Sequence, residues 1–143
     1  MGVSMLVKDI MTPDPITIDP DKPVHEALRI MYQHDVRRLP VIEGGRLVGI
    51  ISDRDIKQVM GRPSLAARLS AGEESNLNVR DVMTRNPITV RGDADLKEAI
   101  ELTVENKISG LPVVDRDQKL VGVISEIDIL RYALDLLQRY ESK

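Results

Sequence analysis

The chain repeats itself, and that duplication limits its fold more than any other feature. Val7-Lys8-Asp9-Ile10-Met11-Thr12 returns as Val79-Arg80-Asp81-Val82-Met83-Thr84, and Asp14-Pro15-Ile16-Thr17-Ile18 returns as Asn86-Pro87-Ile88-Thr89-Val90. With residues 7–42 set against 79–114 at an offset of 72, 13 positions are identical, and several of the rest exchange one apolar residue for another. The offset then becomes 73, because Asp115-Arg116-Asp117-Gln118 is one residue longer than Glu43-Gly44-Gly45. An insertion confined to a turn is what a structural repeat shows. The sequence divides into a first repeat (1–60), a connector (61–78) and a second repeat (79–143). Each half, at about 60 residues, has little core of its own. Packing the two together about a pseudo-twofold axis is the economical solution.

Within each repeat the pattern predicts a short helical lead-in and then strand, helix, strand, strand, helix. Residues 5–11 form a helical turn, which Thr12-Pro13-Asp14-Pro15 ends, because two prolines impose an extended path. Ile16-Thr17-Ile18 is a brief strand. Val24, Ala27, Leu28 and Met31 recur at i, i+3, i+4 and i+7, the apolar face of a helix running to about His34, with Asp21 or a neighbour as its cap. Leu39-Pro40-Val41-Ile42 and Leu47–Ile51 are strands joined by a Gly44-Gly45 hairpin turn. The connector's Leu65–Leu69 could form one further helical turn.

The most informative copy pair is Leu47-Val-Gly-Ile-Ile-Ser-Asp-Arg-Asp-Ile56 and Leu120-Val-Gly-Val-Ile-Ser-Glu-Ile-Asp-Ile129. An apolar, β-branched run reads as a buried strand, and the Ser that follows is a helix N-cap. Ser52 with Asp55, and Ser125 with Asp128, therefore gather hydroxyl, carboxylate and unpaired N–H groups at a strand-to-helix junction. Helix capping alone is the plain structural explanation. Two copies, each inside a longer matching frame, favour a site.

Composition excludes several functions. The 143 residues are 42% hydrophobic, with three Tyr and no Phe or Trp, so there is little provision for stacking single-stranded bases. A net charge of −3 argues against general nucleic-acid or anionic-membrane binding. No Cys is present for disulfides or thiolate chemistry. Neither a membrane-span pattern nor a signal-peptide core is evident, and the expectation is a cytoplasmic protein. His25 and His34 would lie about 180° apart on a helix, a poor geometry for joint metal ligation. No Walker-type glycine loop occurs, so the chain is expected to carry no catalytic function.

The duplicated frame of Asp-[Ile/Val]-Met-Thr, Pro-Ile-Thr-[Ile/Val], Leu-Pro-Val-[Ile/Val] and Gly-[Ile/Val]-Ile-Ser-x-x-Asp-Ile resembles the cystathionine-β-synthase (CBS) domain pair, or Bateman module. The wording is similar to stand-alone pairs, including those labelled acetoin-utilisation proteins. The resemblance implies an α+β fold of two tandem β-α-β-β-α repeats packed sheet to sheet. It also implies clefts between the repeats that hold an adenosyl ligand (AMP, ADP or ATP, with Mg²⁺ able to accompany ATP) and no other required cofactor. S-adenosylmethionine or NAD is the alternative ligand. By the same resemblance Asp55 and Asp128 accept ribose hydroxyls, while Ser52 and Ser125 bond phosphate. Thr12, Ile16, Thr17, Thr84, Ile88 and Thr89 line the adenine pockets.

Phosphate also calls for cations. Arg37 and Arg38 precede the second strand of the first repeat, where the second repeat has Ser109 and Gly110, and Arg54 matches Ile127. If phosphates point toward the opposite repeat, Arg37 and Arg38 serve the Asp128 site, Arg54 compensates beside Asp55, and the Asp128 site is the stronger. The C-terminal helix carries two apolar stripes, Ile127, Leu130, Leu134, Leu137 and Ile129, Ala133, Leu136, Tyr140. A helix packed on one body needs a single stripe, so the second predicts a homodimer. An unidentified protein partner is compatible with this frame, and the competing reading is a dimerising interaction module that binds no nucleotide.

Overall fold

The computed structural model describes residues 5–60 and 77–142. In chain order its elements are α1 (Val7–Ile10), β1 (Thr12–Pro13), α2 (Val24–His34), β2 (Arg38–Glu43), β3 (Arg46–Ser52), α3 (Asp53–Met60), α4 (Val79–Val82), β4 (Thr84–Arg85), β5 (Val90–Arg91), α5 (Leu96–Asn106), β6 (Gly110–Val114), β7 (Leu120–Ser125) and α6 (Glu126–Glu141). They form an α+β protein with two sheets, each belonging to its own compact unit. Unit 1 comprises Met1–Pro15 and Ile88–Lys143; unit 2 is Ile16–Pro87. The units are thus cut differently from the sequence repeats. Each takes its lead-in helix and first short strand from the repeat that supplies the other unit's body.

In unit 2 the sheet order is β2-β3-β4, antiparallel throughout; in unit 1 it is β1-β7-β6-β5, with only the β5–β6 pair parallel. The hairpin joining β2 to β3 turns through Gly44 (φ 59°) and Gly45 (φ 80°), both left-handed as a two-residue turn of matching twist requires. The brief strand expected at Ile16-Thr17-Ile18 reduces to a single parallel bridge between Ile18 and Val41. Ile18 donates to the Pro40 carbonyl and accepts from the Ile42 N–H. The next rung back would need an N–H from Pro40, which has none, so the ladder stops.

Helix α2 begins one residue after Pro23, which occupies the N-cap position without a side-chain bond, so the expected Asp21 cap is not formed. Its buried face is Val24, Ala27 and Met31, while Leu28 stays exposed. The possible helical turn at Leu65–Leu69 lies outside the described residues. Unit 2 packs Leu39, Val41, Ile51 and Ile56 around these helix residues; unit 1 packs Val7, Leu96, Ala99, Leu111, Val113 and Ile124.

The lead-ins are built into these cores. Val79, Val82 and Met83 are buried in unit 2, and Val7 is fully buried in unit 1. Burying each such side chain contributes about 1.5–3 kcal/mol. Helices of four residues cannot satisfy their own first amides. The body supplies the acceptors instead: Val79 and Arg80 donate to the carbonyls of Lys22 and Pro20, and Val7 and Lys8 to those of Ala94 and Gly92, all at 2.9 Å. Arg80 further bonds Glu43 and, at 3.2 Å, Asp21, tying lead-in, hairpin and turn together.

Close approach of the short strands depends on two glycines. A Cβ on Gly49 would lie 2.7 Å from Met83 Sδ and 2.8 Å from the Thr84 carbonyl oxygen; on Gly122 it would lie 2.6 Å from Met11 Sδ and 2.8 Å from the Thr12 oxygen. Only hydrogen fits. Gly122→Ala should therefore lower stability by about 1–3 kcal/mol in urea unfolding. Gly92→Ala, whose new methyl would meet nothing nearer than 3.6 Å, should stay close to wild type. Equal effects of the two would contradict this packing account. The Arg80 hydrogen bond holds the Glu43 carboxyl below its ordinary 4.5. Its contribution is complete above that value and lost as pH falls through the lower folded-state value. Glu43→Gln should flatten the acid limb of the stability profile below pH 4.5 and leave its slope at neutral pH unchanged.

Candidate functional site: two strand-to-helix junctions

The two copies of the Ser-x-x-Asp segment fold into the same local structure. In unit 2, Ser52 ends β3 and its Oγ accepts the Asp55 N–H at 3.0 Å, while the Ser52 N–H donates to Asp55 Oδ2 at 3.0 Å. In unit 1, Ser125 Oγ accepts the Asp128 N–H at 3.2 Å, and the Ser125 N–H donates to Asp128 Oδ2 at 2.9 Å. Each is a reciprocal capping box. Ser–Asp spacing here is first a folding device, as its plain structural reading required.

The other carboxylate oxygen has a different neighbour. Thr12 Oγ1 donates to Asp128 Oδ1 at 3.2 Å, and Thr84 Oγ1 to Asp55 Oδ1 at 3.4 Å. These bonds are long against the usual 2.7–2.8 Å for a hydroxyl donor, and therefore weak. Each Asp is half-buried, held rigidly through one oxygen, and presents the other with unused acceptor capacity. Such a group suits a ligand bearing adjacent hydroxyls.

The register places the remaining residues. Arg38 pairs with Ser52 across β2–β3, so the two side chains rise on the same face of the sheet; the matching pair in unit 1 is Gly110 with Ser125. The Arg37 carbonyl accepts the first amide of α3, that of Asp53, at 2.9 Å, and Arg54 follows in the first turn. Arg37, Arg38 and Arg54 are exposed and form no ion pair among the described residues. The arginines thus stand in the unit that holds Asp55.

Thr12 joins Ser125 and Asp128 in unit 1, and Thr84 joins Ser52 and Asp55 in unit 2. Ile16 and Thr17 fall in unit 2, Ile88 and Thr89 in unit 1. Ile16, Thr17 and Ile88 are exposed and Thr89 is half-buried. The Thr-to-Asp bonds and the Gly–Met contacts that set them were not foreseen from the sequence. The signal was the presence of Met-Thr and Gly in both repeats, which becomes informative only once each lead-in is known to dock beside the Asp. Among the described residues no group of His, Asp and Glu could hold a metal ion. Among the same residues no helix is long and apolar enough to cross a membrane.

Two duplicated α+β units, each ending a hairpin in a Ser-x-x-Asp helix start, define a tandem-repeat pair. The CBS domain family model matches residues 7–62 and 79–135, and the chain belongs to that family. Among solved structures it is similar to CBSX2 from Arabidopsis thaliana in complex with AMP, at 34% identity and TM-score 0.79, covering 92% of this chain and 97% of that one. It is also similar to the CBS domain pair of protein MJ0100 in complex with 5′-methylthioadenosine and S-adenosyl-L-methionine, at 32% identity and TM-score 0.71, over 91% and 96% of the two chains. A third likeness is to the acetoin utilization protein AcuB from Vibrio cholerae, at 30% identity and TM-score 0.80, over 99% and 98%. The chain spans 46% and 22% of the lengths of the first curated relatives it matches.

Because the capping box consumes a full set of hydrogen bonds and the Thr contact does not, the two parts of the junction should separate by mutation. Asp128→Ala should cost about 1 kcal/mol of stability in urea unfolding. Thr12→Val, which keeps the shape and removes only a long bond, should cost well under half of that. A larger loss for Thr12→Val would show that the Thr hydroxyl, not the cap, holds the junction.

Proposed function

We propose that the chain is a regulatory module that binds adenosyl ligands, among them adenine nucleotides (AMP, ADP or ATP), at its two junctions and carries out no reaction itself. The observation that carries this reading is the pair of half-buried carboxylates, Asp55 and Asp128, each fixed through Oδ2 and left with a weakly occupied Oδ1. Family membership supports it, as does the AMP bound by CBSX2. Each carboxylate would accept the ribose hydroxyls, replacing the long Thr bond. Ser52 and Ser125 would stand nearest the ligand's 5′ substituent, and Ile16, Thr17, Ile88 and Thr89 would contact the base. The ligands of the MJ0100 pair favour a second reading, an S-adenosylmethionine-type sensor, because the same carboxylate would serve any ribose.

A homodimer belongs to the same proposal. Ile127, Leu130, Leu134 and Leu137 are 55–60% exposed along one stripe of α6. Of the second stripe, Ile129 packs on the unit 1 core, whereas Leu136 and Tyr140 remain exposed. A groove of about 450 Å³ lined by Ile100, Val104, Ile108, Ile129 and Leu130 adjoins this stripe. A second copy would cover both. Ligand would then act by favouring one arrangement of the assembly or of a regulated partner over another, which requires different affinities for the two.

In thermal denaturation, millimolar AMP, ADP or ATP should raise the melting temperature of the wild type, since a ligand selective for the native state stabilises it. The shift should shrink in at least one of Asp55→Ala and Asp128→Ala. No shift with nucleotides, S-adenosylmethionine or NAD would favour an interaction module without a ligand. In light scattering after size exclusion, wild type should run as a dimer and Leu134→Glu as a monomer. A wild-type monomer at tens of micromolar would contradict the dimer.

A further inference from the structure

The two junctions differ in charge. Around the α3 start, Ser52 and Asp55 have Arg38 in register on the neighbouring strand, Arg37 immediately before it and Arg54 in the first helical turn. The equivalent positions around the α6 start are Gly110, Ser109 and Ile127. Both helix starts carry two further acids at matched positions, Asp53 and Asp55 in one, Glu126 and Asp128 in the other. So three arginines surround two carboxylates in unit 2, one of which, Asp53, also pairs with Lys57 at 3.7 Å, and in unit 1 the matched positions carry no cation.

The helix amides do not make up the difference. In α3 the first amide is bonded to the Arg37 carbonyl and the third to Ser52 Oγ. In α6 the first is bonded to the Ser109 carbonyl and the third to Ser125 Oγ. With two of the three first amides already bonded, a helix start offers a phosphate little. Charge selection at each junction therefore falls to the side chains. A guanidinium engages a phosphate in charge-assisted bonds, and a polyphosphate placed beside two carboxylates without such a partner is repelled.

We propose that the junctions take different classes of adenosyl ligand. This rests on the reading that both bind an adenosyl group. The Ser52–Asp55–Thr84 junction takes a 5′-phosphorylated nucleotide. The Ser125–Asp128–Thr12 junction takes an adenosyl group whose 5′ substituent is neutral or cationic, such as a thioether or a sulfonium. Arg37, Arg38 and Arg54 are the specificity-determining residues of the first, and Ile127 with Gly110 those of the second. A single chain would then report the phosphorylated and the non-phosphorylated adenosyl pools at once.

Isothermal titration of the full chain with ADP, and separately with S-adenosylmethionine, tests this on wild type, Asp55→Asn, Asp128→Asn, Arg38→Ala and Ile127→Arg. Asn keeps the cap acceptor, and circular dichroism checks that each variant is folded. ADP should saturate near one per chain, lose its binding in Asp55→Asn, weaken at least about tenfold in Arg38→Ala, and be unaffected by Asp128→Asn. S-adenosylmethionine should depend on Asp128 alone. Ile127→Arg, at an exposed position, should bring in a second ADP per chain. If ADP binding survives Asp55→Asn and is lost in Asp128→Asn, the assignment is overturned while both junctions remain adenosyl sites. If neither compound binds wild type, the adenosyl reading fails and this inference with it.

Discussion

The seating of each lead-in against the body of its unit is the contact on which the rest depends. A four-residue helix and a two-residue strand have no stability of their own. They persist because Val7 or Val79 enters a core, because the body accepts their first amides, and because a glycine lets the short strand approach. That approach brings the Thr hydroxyl beside the Asp carboxylate. Fold and site are therefore one construction. A methyl group at Gly122 would disturb both.

The same construction explains how a capping motif can also be a binding group. A capping box needs only one oxygen of its acid. In both units the cap takes Oδ2, and the lead-in leaves Oδ1 with a long, weak partner. The carboxylate is already oriented, so a ligand bound there would cost little conformational freedom. A free surface Asp would lack this advantage. Duplication then supplies two such groups, and divergence around them, Arg38 against Gly110 and Arg54 against Ile127, gives each its own electrostatic surroundings.

Much of this was legible in the sequence because the signals are local. The hairpin followed from Gly44-Gly45, the helix ending at His34 from its apolar spacing, and the capping boxes from Ser-x-x-Asp. The CBS assignment followed from the order of short motifs. What was not legible depends on which segment meets which. Nothing local tells that Thr12-Pro13 is a strand, since its partner, Gly122-Val123, lies more than a hundred residues away. The loss of the strand at Ile16–Ile18 likewise comes from Pro40 on the neighbouring strand. The service of Arg37 and Arg38 to Asp128 was conditional on phosphates pointing toward the opposite repeat, a direction that sequence does not contain; the register sets Arg38 beside Ser52.

The most direct measurement of the central claim is an amide NMR titration of the ¹⁵N-labelled chain with AMP. The account predicts the largest shifts at Ser52, Asp55 and Thr84, where the carboxylate exchanges a Thr hydroxyl for ribose hydroxyls and cations are at hand. Shifts confined to α2 or to the exposed stripe of α6, with these three amides unmoved, would contradict it.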